Sequence, residues 1–216
     1  MPLISEATPN REAHRAFLNR YYGVSRWFYD ITRRYYLIGR EVAIDALVAE
    51  RGWMSLVEVG PGTGRNLRKL HAARPEARYG GVEASDEMLT HARGKCPWAT
   101  LVGGFAEDAD IRGLLGSPPD RIFFSYCLSM VQEPHRALEH ARRSLAPGGE
   151  VVVVDFGDLS DLGRFKPFLR KWLDSFHVHS LPADIEPLAF DVQHGRGRYW
   201  TMMRFGPLDE NSAPGR

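Results

Sequence analysis

The chain has 216 residues, 44% of them apolar and 25% charged. That is the balance of one globular domain with a real core, and it excludes a disordered chain, a collagen-like chain and a coiled-coil rod. Its 28 Lys and Arg against 27 Asp and Glu leave a formal charge of +1, so nothing draws the whole molecule to nucleic acid and any basic footprint must be local. Cys96 and Cys127 form no CxxC pair and read as reduced thiols of a cytoplasmic protein. No apolar run approaches the roughly 20 residues of a membrane span. The start, Met1-Pro2-Leu3-Ile4-Ser5-Glu6, lacks the basic and apolar regions of a secretory leader.

Residues 1–13, with Pro2 and Pro9, read as a frayed start, and 14–50 as a helical, aromatic-rich cap. Ser55 to Val59 is a short apolar strand that runs into Gly60-Pro61-Gly62-Thr63-Gly64 and then a helix from Asn66 to Ala73. A second strand, Arg78 to Glu83, ends on an acid. A helix follows from Asp86 to Arg93, with Ser85 or Asp86 as its N-cap. Strands are predicted over 99–103 and 121–126, and a helix from Pro134 to Leu145 closes on Pro147-Gly148-Gly149. Glu150 to Asp155 carries four successive valines, which suits a strand buried on both faces. A helix over 163–176 and a hairpin of 188–194 with 198–205 across Gly195-Arg196-Gly197 complete the core, leaving a tail over 206–216.

Alternating strands and helices predict an α/β fold with a mainly parallel sheet, the hairpin adding an antiparallel strand. The organisation is then a single domain over 1–216, with a cap over 1–50 and a cofactor-binding core over 51–205. In such sheets ligands bind at the carboxyl ends of the strands, where the glycine turn lies. The turn reads GxGxG, not the dinucleotide GxGxxG, and no GxxxxGK[ST] phosphate loop exists. Glu83, at the end of the next strand, is placed to accept from a ribose diol.

Glu58-x-Gly60-x-Gly62-x-Gly64, Glu83 and Leu145-Ala146-Pro147-Gly148-Gly149 before a valine strand resemble the class I S-adenosylmethionine-dependent methyltransferases. The resemblance implies a Rossmann-like three-layer sandwich whose seven-stranded sheet ends in an antiparallel strand. It implies S-adenosylmethionine as cofactor and S-adenosylhomocysteine as product. It puts Gly60, Gly62 and Gly64 under the methionine part and Glu83 on the ribose, with Glu58, Asn66 and Ser125 as further cofactor contacts. Where the family often has an acid for the adenine amino group, this chain has Phe105. Phe105 is then expected to pack on the adenine, with Ala106 and Glu107 at its edge.

A narrower resemblance is to the bacterial betaine-lipid methyltransferases, which methylate the amine of diacylglyceryl-homoserine. It is carried by Tyr22 followed by the run from Trp27 to Arg40, by Gly64-Arg65-Asn66-Leu67, Ser125 to Met130, Asp155-Phe156-Gly157-Asp158 and Trp172 to Val178. It implies a lipid-headgroup amine as acceptor. The region after His179 matches less well.

Read on its own, the cap places Tyr22, Arg26, Tyr29, Arg33, Tyr36 and Arg40 on one helical stripe, opposite Val24, Trp27, Phe28, Ile31, Tyr35 and Ile38. Tyrosines can surround a cationic amine and arginines can hold a carboxylate or phosphate. Tyr22, Arg26, Arg33 and Tyr36 are thus candidates for acceptor binding and Tyr29 for positioning the amine; the other reading is that the stripe packs on the sheet edge. Tyr126 or His177 would accept the proton. Arg164, Lys166, Arg170 and Lys171 alternate with Phe165, Phe168, Leu169 and Trp172, which suits an anionic membrane surface or an ordinary sheet-covering helix. Methylation of DNA bases is disfavoured, because Ser125-Tyr126-Cys127-Leu128 stands where a [DN]PP[YFW] string would be. His177 and His179 form an HxH pair without a third ligand, so no metal is expected, and His135 and His140 read as structural. The function expected is methylation of a zwitterionic amine, with a small-molecule N- or O-methyltransferase or a non-catalytic cofactor-binding module as alternatives.

Overall fold

The computed structural model describes residues 37–165, 167–168, 170–171 and 180–208. Tyr22, Arg26, Tyr29, Arg33, Tyr36, His177 and His179, with Lys166, Leu169 and Trp172 of the basic aromatic segment, lie outside the described residues.

Helix α1 spans Gly39–Ala49 and leads into β1, Ser55–Val59. Then come α2 (Arg65–Ala73), β2 (Arg78–Glu83), α3 (Asp86–Lys95), β3 (Thr100–Gly103), β4 (Arg121–Ser125), α4 (Pro134–Ser144), β5 (Glu150–Phe156), β6 (Asp191–His194) and β7 (Trp200–Phe205). The sheet order is β3-β2-β1-β4-β5-β7-β6. Strands β1 to β5 pair in parallel, while β7 runs antiparallel to both β5 and β6. This is the mainly parallel sheet that the alternating pattern predicts, with the seven strands and antiparallel last strand that the resemblance implies.

The period of two along the strands sorts the core into two layers. Phe123, Val152 and Val154 point to the face covered by α1, α2 and α3, with Leu47, Leu67 and Leu89. Ile122, Phe124, Val151 and Val153 point to the face covered by α4, with Leu138 and Ala141. All four valines of β5 are fully buried, as a strand flanked by β4 and β7 and covered on both faces requires. Each contributes about 1.5–3 kcal/mol of burial free energy.

Local chemistry sets the ends. Ser85 caps α3, its hydroxyl accepting from the Met88 N–H at 3.4 Å. Pro134 opens α4. Gly39 is the first residue of α1. A side chain cannot fit there, because a Cβ would stand 2.6 Å from the Trp200 ring. The helix expected from Gly163 is also displaced. Ser160–Phe165 forms 3-10 turns broken at Gly163, where φ is 50°, and α-helical backbone follows at 167–168 and 170–171. The hairpin is shorter than predicted, because Glu186–Leu188 makes a 3-10 turn around Pro187 and Arg196–Arg198 makes another between the strands.

Candidate functional site

The carboxyl ends of β1, β2 and β4 open onto one cleft of about 1080 Å³, counted to its open mouth. At its floor the Gly60 N–H donates to Val82 O at 2.8 Å, tying the glycine turn to β2, and the Gly64 N–H donates to Pro61 O at 2.9 Å. Gly60, Gly62 and Gly64 all have positive φ, which only glycine adopts without strain. Gly64 begins α2 as a left-handed N-cap that supplies no side-chain oxygen, so the amino end of the helix stays suited to a ligand. A Cβ on Gly62 would meet nothing within 4 Å, so the turn presents bare backbone to the cleft. Gly60 and Gly64 instead back onto Cys127 and Cys96, neither of which is in a disulfide.

Glu83 locks this turn. Its carboxylate accepts from the Gly62 N–H at 2.9 Å and the Ser85 N–H at 3.0 Å. Glu83 lies on the cleft wall, where a diol would meet it. Phe105, Ala106, Glu107, Asn66 and Ser125 are also on that wall. Asn66 Oδ1, Ser125 Oγ and Glu107 Oε2 are buried and have no hydrogen-bond partner among the described residues. Buried polar atoms left without partners are costly. Three of them around one cleft, beside bare glycine backbone and a tethered carboxylate, fit a polar ligand such as S-adenosylmethionine.

Two expected roles need correction. Glu58 is not on the cleft wall. It is 0% exposed behind the glycine turn, where Oε1 accepts from Asn66 Nδ2 at 2.6 Å. Burial pushes its carboxyl up to about 8, and the Glu83 charge adds to this, while the Asn66 bond, the Arg40 charge and the Leu67 N–H pull it down. Strand β1 is buried at all five positions, so alternation gave no sign of which way Glu58 faces. Tyr126 does line the cleft, but it is no proton acceptor. Its hydroxyl accepts from the Gly39 N–H at 3.1 Å, and desolvation pushes the phenol far above its ordinary value, so no phenolate forms near neutral pH. Tyr126 is a pin between β4 and α1. Tyr126→Phe should therefore cost about 1 kcal/mol of stability, as loss of one hydrogen bond does, with methyl transfer retained. A loss of turnover without a loss of melting temperature would return the phenol to a chemical role.

The cleft also holds residues that sequence reasoning did not single out for it. Thr63 lines it from the glycine turn, Arg65 from the start of α2, Met88 from α3, and Met130, Val131 and Gln132 from the segment after β4. Their signal was position alone, just after a strand's carboxyl end. Arg40, from the Tyr/Arg stripe, is 9% exposed and on the wall with Leu37. His135 pairs with Asp184 at 3.0 Å and the His140 ring lies 2.7 Å from Ala109 O, both away from the cleft lining. Among the described residues no His, Cys, Asp and Glu cluster could hold a metal, and no helix is long and apolar enough to cross a membrane. Phe168 is 78% exposed, while Arg170 donates to Ser180 Oγ at 2.6 Å.

Comparison with known proteins bears on this cleft directly. Residues 57–151, from β1 into β5, match the family model described as a methyltransferase domain. That segment is less than half of the chain. The chain resembles trans-aconitate 2-methyltransferase of Methylobacterium nodulans, with 36% identity over 100 residues that cover 45% of this chain and 36% of that protein. The chain spans less than half the length of the curated relatives it matches. Among solved structures it resembles the sugar N-methyltransferase KedS8 from Streptoalloteichus sp ATCC 53650, with 26% identity, a TM-score of 0.51, and 62% of this chain and 54% of that one covered. The plantazolicin methyltransferase BamL, solved with a triazolic desmethylPZN analog and SAH, shares the fold at a TM-score of 0.56 and 18% identity, over 72% of this chain and 61% of that one.

Proposed function

We propose that this protein transfers methyl groups from S-adenosylmethionine to an amine, and that the acceptor is the homoserine headgroup of a diacylglyceryl lipid or a small zwitterionic amine like it. The observation that carries this is the composition of the cleft beyond the glycine turn. Past Ser125 the wall is Leu37, Tyr126, Met130 and Val131, with Arg40 and Gln132 as polar groups. Bound S-adenosylmethionine supplies a methyl group already activated by the sulfonium charge. Glu83, the Gly60–Gly64 turn, Asn66, Ser125 and Glu107 are the residues that would hold it.

An amine attacks only when unprotonated. An apolar wall disfavours its ammonium form, and a guanidinium nearby does so again by like-charge repulsion. Arg40 also favours a carboxylate on the same acceptor. The two effects together suit a zwitterion better than a simple amine. The resemblance to a sugar N-methyltransferase supports nitrogen as the nucleophile. In this reading Tyr22, Arg26, Tyr29, Arg33 and Tyr36 extend the acceptor site from the amino-terminal side, and His177 takes the proton. The exposed Phe168 and Lys171 would meet the lipid surface. A small-molecule acceptor without an amine is the second reading, favoured by the 36% identity to trans-aconitate 2-methyltransferase.

Methyl-labelled S-adenosylmethionine, offered with diacylglyceryl-homoserine in anionic micelles, free homoserine, an amino sugar or trans-aconitate, separates these readings. We expect label in the lipid or in free homoserine, with added salt slowing only the lipid reaction, since surface attraction is screened. Label in trans-aconitate alone would reject the amine.

A further inference from the structure

Asp155, at the carboxyl end of β5, is fully buried and lies behind the cleft. Both of its oxygens serve the segment after β4. Oδ2 accepts from the Ser129 N–H at 3.0 Å, and Oδ1 accepts from Ser129 Oγ at 2.7 Å and from the Phe156 N–H at 2.9 Å. Ser129 is the middle residue of a 3-10 turn, Leu128–Met130. That turn is closed by Met130 N–H to Cys127 O at 2.9 Å and Val131 N–H to Leu128 O at 3.2 Å. Met130, Val131 and Gln132 leave the turn along the cleft wall.

The chain reaches this turn through an unfavourable bend. Tyr126 has φ 51°, a conformation that costs a bulky residue energy and persists only where the surroundings impose it. Here they do. The Tyr126 N–H donates to Val154 O at 2.8 Å, its hydroxyl is held by Gly39, and its ring meets Phe156 edge-on at 4.6 Å between centroids. Asp155 fixes the far side of the same bend.

Topology says which part of a ligand this wall meets. Glu83 and Phe105 follow β2 and β3, on one side of β1, whereas β4 lies on the other side. A ligand with its ribose at Glu83 and its middle over the glycine turn therefore presents its far end to the segment after β4.

We propose that Asp155 is a positioning residue, which clamps the Ser129 turn so that Met130, Val131 and Gln132 form the acceptor-facing wall of the cleft. The inference rests on the methyl-transfer reading above. Asp155→Asn removes the charge and one acceptor, and Ser129→Ala removes the hydroxyl while leaving the carboxylate in place, so the second variant covers any folding defect of the first. Three quantities are read in each: hydrogen exchange of the amides over 128–132, the Kd for S-adenosylhomocysteine by calorimetry, and KM and kcat for diacylglyceryl-homoserine in micelles. Expected are exchange at least tenfold faster over 128–132, an S-adenosylhomocysteine Kd within threefold of wild type, and an acceptor KM raised at least tenfold. Wild-type exchange and acceptor constants in folded variants would overturn the clamp. So would an equal loss of S-adenosylhomocysteine affinity, which would assign Asp155 to the cofactor side. If the wild-type protein methylates trans-aconitate and not the lipid, the amine reading fails, and the same KM comparison is made with trans-aconitate. If it methylates neither, the exchange and Kd arms decide the clamp by themselves.

Discussion

Raising the pH from 6 to 9 is expected to lower the melting temperature of the ligand-free protein, and Glu58→Gln is expected to remove most of that dependence. Glu58 is fully buried behind the glycine turn, and burial pushes its carboxyl from 4.5 up to about 8. The folded state therefore keeps the proton to about pH 8, while the unfolded chain gives it up near 4.5. A group raised in this way contributes its full stability below the unfolded value and loses it as pH climbs through the folded value. Between those limits the loss is about 1.4 kcal/mol per pH unit, which accumulates to a few kcal/mol. The charges facing Glu58 explain why the shift is not larger. Asn66 and the Leu67 N–H bond it and Arg40 attracts its anion, against repulsion from Glu83. Glutamine keeps the carbonyl that accepts from Asn66 and carries no charge at any pH, so it mimics the protonated acid. Glu41 and Asp158 are shifted downward, so they add stability as pH rises through the acid range and do not contribute above pH 6. Parallel melting-temperature curves for the wild type and Glu58→Gln would show that Glu58 does not titrate in this window.

What the sequence revealed and what it hid divide along physical lines. The valine run of β5, the apolar β1 and the glycine turn are local signals, because burial on two faces and positive φ each demand particular residue types at particular positions. Glu83 was legible for a related reason, since an acid closing the second strand of such a sheet stands next to the turn. The orientation of Glu58 was not legible, because every residue of β1 is buried and no polar alternation marks a face. The need for glycine at Gly39 was hidden because it comes from Trp200 in β7, far away in the chain. Tyr126 looked like chemistry because it sits at the end of β4. Its bond to Gly39 and its left-handed backbone follow from tertiary packing that no window of sequence contains. The helix predicted over 163–176 begins late because Gly163 takes positive φ, which a helix cannot accommodate, and helical backbone is present at 167–168 and 170–171.

Glu83→Ala should weaken S-adenosylhomocysteine binding by about 1.5–3 kcal/mol, the usual worth of a hydrogen bond to a charged group, or roughly 10- to 150-fold in Kd. Two effects act in the same direction. The variant loses the acceptor that a ribose diol would use, and it leaves the Gly62 and Ser85 N–H groups without their partner at 2.9 and 3.0 Å. The second effect loosens the turn whose bare backbone faces the cleft, so a modest fall in melting temperature should accompany the loss of affinity. Glu83→Gln separates the two. Its single carbonyl oxygen can accept one of the backbone N–H groups, but its amide would face the other as donor against donor. It should therefore bind S-adenosylhomocysteine more weakly than wild type and more tightly than the alanine variant, with a melting temperature nearer to wild type. Calorimetry on both variants checks this ordering. Wild-type affinity in a folded Glu83→Ala protein would mean that Glu83 serves only to tether Gly62 and Ser85, and that the ribose is held by another group on the wall, with Glu107 and its unpartnered Oε2 the first to replace.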